Sequence, residues 1–174
     1  MKAPFKWMIV ACLFVGCSVL GGLVFAQTPQ RPQTSQDASA HHLNVKFQDM
    51  KWERIFPELG ERSSEITVLH VDPKTQATQL MIRVPKDFHV PKHWHRANET
   101  HTIISGTFII ASEGKRETLG PGSFNFMPSK MIHEAWTKPD EGAVLFITVD
   151  AAWDINWVDG PPKVSELIGG LKAP

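Results

Sequence analysis

The sequence has little cysteine, no tyrosine and no block of charge of either sign. Its 174 residues contain two cysteines, Cys12 and Cys17, and none after them. Thiolate metal sites, thiol nucleophiles and disulfides are therefore excluded from everything beyond residue 17. Lys and Arg number 18, Asp and Glu also 18, and no run of four basic residues occurs. A duplex-binding protein concentrates positive charge on one face, so nucleic acid is not an expected partner. What the sequence does have is apolar content, 42% of residues, enough for a buried core. It also has eight histidines, five of them between positions 89 and 133.

The N-terminus reads as a targeting segment. Lys2 and Lys6 precede an uncharged run from Trp7 to Ala26, which ends Val24-Phe25-Ala26 with small residues where a signal peptidase cuts. The expectation is a signal peptide over 1–26 and a periplasmic or secreted product with no membrane contact after cleavage. The run is also long enough for an uncleaved anchor, and Val15-Gly16-Cys17 partly fits a lipoprotein signal. Removing 26 of 174 residues leaves 148, without cysteine, and takes Lys2 and Lys6 from the 18 basic groups to leave 16 against 18 acidic. Residues 27–42 follow as a flexible linker, rich in Gln and Pro and nearly free of large apolar side chains.

From residue 43 to 162 the pattern is that of one β domain. Leu80, Ile82 and Val84 alternate with Gln79, Met81 and Arg83, and Trp153, Ile155 and Trp157 alternate with Asp154 and Asn156. Period-two alternation predicts half-buried strands. Short β-branched or aromatic runs occur at Ile66–Val71, Ile103–Ile104, Thr107–Ala111, Phe124–Met127 and Val144–Val149. Turn signals separate them, among them Glu113-Gly114 and Gly120-Pro121-Gly122. Many short strands at such intervals predict an all-β sandwich or barrel. Residues 163–174 form a C-terminal tail, with one helical turn expected near Ser165–Ile168.

The chemistry concentrates in His93-Trp94-His95-Arg96-Ala97-Asn98-Glu99. Two histidines two apart on a strand point their imidazoles to one side. A short polar loop then allows Glu99 to turn back toward them. Imidazole with carboxylate suits Zn, Fe, Mn, Ni and Co. A further ligand is expected from a neighbouring strand, and His133 begins one, as the second half of an expected hairpin after Phe124–Met127.

The spacing His-x-His, three residues, Glu, six residues, Gly at His93, His95, Glu99 and Gly106 resembles the first cupin motif. Gly120-Pro121-Gly122, Pro128 and His133 resemble the second. The chain is thus similar to a small single-domain bacterial cupin, a double-stranded β-helix or jelly-roll barrel. The resemblance implies one divalent transition metal ion held by His93, His95, Glu99 and His133. Four protein ligands on a six-coordinate ion leave two positions for substrate, O₂ or water. The implied activities are those of dioxygenases, decarboxylases, isomerases and lyases acting on a small oxygen-chelating molecule, with a non-catalytic binding or sensing module as the alternative. Dimers are common among cupins, often through N-terminal strands, and Leu43–Phe47 is the candidate edge strand for a homodimer.

His101 lies two residues beyond Glu99, so both side chains are expected inside the barrel. It is the candidate catalytic residue, as a general base, a substrate contact or a group orienting Glu99; a hydrogen-bonded core histidine is the bland reading. Phe124, Phe126, Trp136 and Trp94 are candidate pocket walls, though packing explains most barrel aromatics. Arg83 is a weak candidate for binding an anion inside the barrel. His89 is expected on an exposed loop, His70 in a sheet, and the sequon at Asn98 is taken as chance.

Overall fold

The computed structural model describes residues 42–169. The expected signal peptide and all of the linker except His42 lie outside the described residues. Among these there are eleven strands: β1 (Glu53–Arg54), β2 (Glu65–Val71), β3 (Thr78–Val84), β4 (His89–Trp94), β5 (Glu99–Gly106), β6 (Phe108–Ser112), β7 (Lys115–Leu119), β8 (Phe124–Met127), β9 (His133–Thr137), β10 (Ala143–Val149) and β11 (Asn156–Trp157). They form two antiparallel sheets, one in the order β1-β2-β3-β10-β5-β8 and one in the order β11-β4-β9-β6-β7. No helix among the described residues is long and apolar enough to cross a membrane. The all-β jelly roll expected from the sequence is the observed architecture.

Alternation builds the core. In β10 the side chains of Ala143, Leu145, Ile147 and Val149 are buried while those between them are half-buried. Leu80, Val84 and Ile103 join them from the six-stranded sheet, and Phe108, Ile110 and Ala135 from the five-stranded one. Two inner faces that alternate in this way interdigitate into one apolar layer.

The chain passes between sheets where backbones must touch. Gly106 ends β5 at a φ of +75°, and a Cβ there would lie 1.9 Å from the carbonyl oxygen of Gly142. A Cβ on Gly142 would in turn lie 2.4 Å from the Val84 carbonyl oxygen. Only glycine fits both places, so the Gly of the motif is a packing requirement of the crossover into β6.

Several local expectations change. The strands β8 and β9 do not form a hairpin: β8 pairs with β5 and β9 with β4 and β6. The chain leaves one sheet at Met127 and enters the other at His133. Leu43–Phe47 is not a strand; it leads into a 3-10 turn at Phe47–Asp49, and Leu43, Val45 and Phe47 are exposed. Of Trp153–Trp157, only Asn156–Trp157 pairs, as β11 against β4. The preceding residues spend their polar groups elsewhere. Asp154 accepts from the Arg96 and Asn156 side chains rather than lying in a regular ladder. The charged segment Lys115–Leu119 is a strand the apolar pattern did not show, paired with β6 across the Glu113-Gly114 turn.

Beyond residue 162 the chain still packs on the domain. A 3-10 turn spans Val164–Glu166, as the one expected turn there, but Leu167 is fully buried. His89 N–H donates to the Leu167 carbonyl at 2.9 Å, and Ile168 bridges to Phe88. Burial of that one leucine contributes roughly 2 kcal/mol.

Candidate metal centre

Strands β4 and β9 run antiparallel with His93 directly opposite His133. His95 follows β4 by one residue beyond Trp94, on the same side as His93, and Glu99 opens β5. All four side chains are buried, none more than 5% exposed. The ligand-capable atoms of His93, His95 and His133 lie within 4.8 Å of one another. The rings sit close, with centroids 4.1 Å apart for His93 and His133 and 5.0 Å for His93 and His95.

Each of the three imidazoles has its Nδ1 fixed by a backbone carbonyl. His93 Nδ1 donates to Pro91 O at 2.7 Å, His133 Nδ1 to Met131 O at 3.0 Å, and His95 Nδ1 to Asp154 O. A carbonyl only accepts, so each Nδ1 carries a proton and a neutral ring keeps its lone pair on Nε2. Burial holds two of the rings neutral. It pushes His133 down to about 4, and lowers His93 well below the usual histidine value, with the neighbouring His133 and His95 adding to the effect. Burial would lower His95 too, but the adjacent Glu99 carboxylate outweighs it and raises the value. Burial would raise Glu99, yet His101 and His95 hold it well below the usual carboxylate range.

Glu99 is held asymmetrically. Its Oε1 accepts from Trp153 Nε1 at 3.1 Å. Its Oε2 lies 2.9 Å from His95 Nε2 and 3.2 Å from His101 Nε2, near enough for charge attraction, but accepts no hydrogen bond of proper geometry. A buried carboxylate oxygen without a hydrogen bond is costly in an apolar interior. The ligand atoms of the three histidines cluster together, and this oxygen lies beside one of them, His95 Nε2, outside the three-histidine group itself. That set fits a divalent transition metal, and the carbonyl partners of the three Nδ1 atoms are the supports such ligands ordinarily have.

His101 faces the interior, as its parity with Glu99 predicts, and is buried. It stands outside the three-histidine cluster. Its Nδ1 donates to the Asn125 side-chain oxygen at 3.1 Å, and its Nε2 faces Glu99. The cluster floors a cavity of about 60 Å³ whose walls include Val84, Val90, Phe108, Ile110, Leu145 and Ile147.

Other expected residues lie elsewhere. Phe124 and Phe126 are exposed on the outer face of β8, and it is Asn125 between them that turns inward to His101. Trp136 is buried but stacks on His89 outside the cavity, with ring planes 3° apart. Trp94 is half-buried and does not line the cavity. Arg83 lies over the Trp52 ring, 3.8 Å from its centroid, and pairs with Glu65, so it binds no anion within the barrel. His89 is a half-buried strand residue whose Nδ1 donates to Glu166 O, not part of an exposed loop. Both ends of the Asn98 amide are used, toward Asp150 and Ser129, consistent with a chance sequon. Sequence reasoning missed Trp153, Asp154 and Asn125. Only Asn125 left a sign, as the one polar residue inside an aromatic strand.

Comparison with solved structures gives the same fold at low identity. The chain is similar to the DMSP lyase DddQ from Ruegeria pomeroyi, with a TM-score of 0.56 and 18% identity over 66% of this chain and 64% of that one. It therefore spans somewhat under two thirds of the lyase. It is also similar to the polyketide cyclase RemF from Streptomyces resistomycificus, at 0.57 and 16% over 72% and 90%. A cupin-like protein from Thermotoga maritima aligns at 0.50 and 16% over 60% and 81%. No curated protein matches the chain. The model of the ChrR cupin-like domain matches residues 40–152, most of the folded part and more than half of the sequence, so the chain belongs to that cupin family.

Proposed function

We propose that this is an exported, metal-dependent cupin enzyme that binds one divalent transition metal through His93, His95, His133 and Glu99 and acts on a small oxygen-chelating molecule. The observation that carries the reading is the set of three clustered, buried imidazoles, each with Nδ1 committed to a carbonyl, with the free oxygen of Glu99 beside His95 Nε2. A bound divalent ion would supply Lewis acidity or a template for a chelating substrate. The protein's own part is to keep Nε2 unprotonated on His93 and His133, to hold Glu99 ionised, and to exclude water behind apolar walls. His101 is assigned as the acid/base candidate, its Nε2 beside Glu99 and its other nitrogen fixed by Asn125.

Solved structures of this fold include a named lyase and a named cyclase, so the fold does not choose the reaction. Oxidative cleavage, decarboxylation and elimination all suit a chelated substrate. The test is azide addition to the Co(II)-loaded protein. A change in the Co(II) absorption spectrum is expected, since an enzyme needs exchangeable positions. An unchanged spectrum would overturn the enzyme reading and leave a metal that only braces the barrel. The variant His101→Val then tests the proton carrier: metal retained with turnover lost supports the assignment, and unchanged turnover removes it.

A further inference from the structure

Three connections carry the chain between the two sheets beside the candidate metal centre: residues 95–98 from β4 to β5, 128–132 from β8 to β9, and 150–155 from β10 to β11. Strand pairing sets His93 against His133, because β4 and β9 are neighbours in one sheet. It does not set Glu99 against them, because β5 belongs to the other sheet. Ladder hydrogen bonds act only within a sheet, so that placement depends on how the connections are bonded to one another.

Those bonds meet at Asn98. Its backbone N–H and its Nδ2 donate to the two carboxylate oxygens of Asp150, at 3.0 and 2.6 Å, and its carbonyl accepts from Asp150 N at 3.3 Å. Its Oδ1 accepts from Ser129 N at 2.9 Å. One half-buried side chain thus ties the first connection to both of the others. An amide suits the place, since it offers a donor and an acceptor on one short stem. Beyond Asp150 the chain reaches Trp153 and Asp154, which bond Glu99 and His95. Beyond Ser129 it reaches Met131, whose carbonyl accepts from His133 Nδ1. Between them Lys130 takes a φ of +64°, uncommon for a residue with a Cβ. That turn is held from outside, by Lys130 N donating to His95 O at 2.8 Å and by the two bonds from Ser129 to Arg96 and Asn98.

Resting on the metal reading above, we infer that Asn98 is a positioning residue of the centre: by fastening the connection between His95 and Glu99 to the two that support the other ligand contacts, it sets the carboxylate of one sheet against the imidazoles of the other. It touches none of the four proposed ligands through its side chain and acts through Asp150 and Ser129.

The test measures Co(II) affinity of the full chain by chelator competition, beside urea unfolding of the metal-free protein. Asn98→Ala removes both bonds of the amide. Asn98→Asp sets a second carboxylate against that of Asp150. Asn98→Asp/Asp150→Asn exchanges the two groups, which restores a donor between them and leaves an oxygen facing Ser129 N. Thr148→Val is the control: it removes a side-chain bond to Thr100, at 2.6 Å, without touching the three connections. Asn98→Ala and Asn98→Asp should each bind Co(II) at least about tenfold more weakly than wild type, with the exchange returning to within about threefold and Thr148→Val staying within about twofold. Asn98 variants that lower the urea midpoint but keep wild-type Co(II) affinity when folded would overturn the inference, because Asn98 would then serve the fold alone. An exchange that binds no better than Asn98→Asp overturns it too, as does a Thr148→Val as weak as Asn98→Ala. Should Asn98→Asp not fold, Asn98→Ala and the exchange decide between the same outcomes. Wild type that takes up no Co(II) is a different result, since it overturns the metal centre itself and the inference with it.

Discussion

Replacing Trp153 with Phe removes one donor and keeps most of the ring. Trp153 reaches Glu99 from the irregular segment after β10, 54 residues away, and its Nε1 donates to Oε1 at 3.1 Å. The next residue, Asp154, accepts from His95 Nδ1 through its carbonyl. One dipeptide thus steadies two of the four proposed ligands. A hydrogen bond to a charged group contributes about 1.5–3 kcal/mol, and more of it is felt when the carboxylate is buried. Each 1.4 kcal/mol is a factor of ten, so Trp153→Phe should weaken metal binding roughly 10- to 100-fold. Co(II) competition against a chelator of known strength measures this. Thermal unfolding of the metal-free protein separates it from a packing defect, since the half-buried ring loses only part of its volume. A variant that binds Co(II) within about twofold of wild type would refute the role given to Trp153.

Metal-free stability should fall with acid in a definite window. His133 is held at about 4 and His93 is also lowered, so between the unfolded value of 6.5 and about 4 the unfolded chain binds protons that the folded chain refuses. Stability therefore drops as pH falls through that range, by roughly 3 kcal/mol from His133 alone; urea unfolding at pH 7 and 4.5 checks the sign. The raised His95 acts in a separate window, contributing stability that is present below 6.5 and lost as pH rises through its folded value. Leu167→Ala should cost about 2–5 kcal/mol in the same assay, because Leu167 is fully buried although sequence suggested a tail. Gly106→Ala should cost more than about 2 kcal/mol or prevent folding, since the new Cβ would meet the Gly142 carbonyl and the residue sits at φ +75°; a variant as stable as wild type would sink the crossover argument.

The fold was legible because period-two alternation and turn residues are local signals. β3 and β10 follow them closely, and the motif spacing supplied the family. The strand Lys115–Leu119 was hidden because its side chains are mostly exposed on an edge, so no apolar face marks it. The inner face of β8 was misread for a related reason. Large aromatics suggest an interior, yet Phe124 and Phe126 face outward and Asn125 faces His101, since register against β5 decides the side. His93 and His95 share a side as their spacing implied, whereas His133 joins them by the pairing of β9 with β4 and not through the expected hairpin. Their supports were not visible, because Trp153 and Asp154 reach the site through tertiary packing across more than 50 residues. No local pattern encodes that.

The central claim is that His93, His95, His133 and Glu99 hold one metal ion. Metal analysis of the purified full chain, beside a His93→Ala/His133→Ala double variant of verified fold, tests it most directly. The account predicts about one transition metal per wild-type chain and at least a tenfold loss in the variant. Only traces in wild type after exposure to Fe, Mn, Zn, Ni and Co, or equal metal in both proteins, would contradict it.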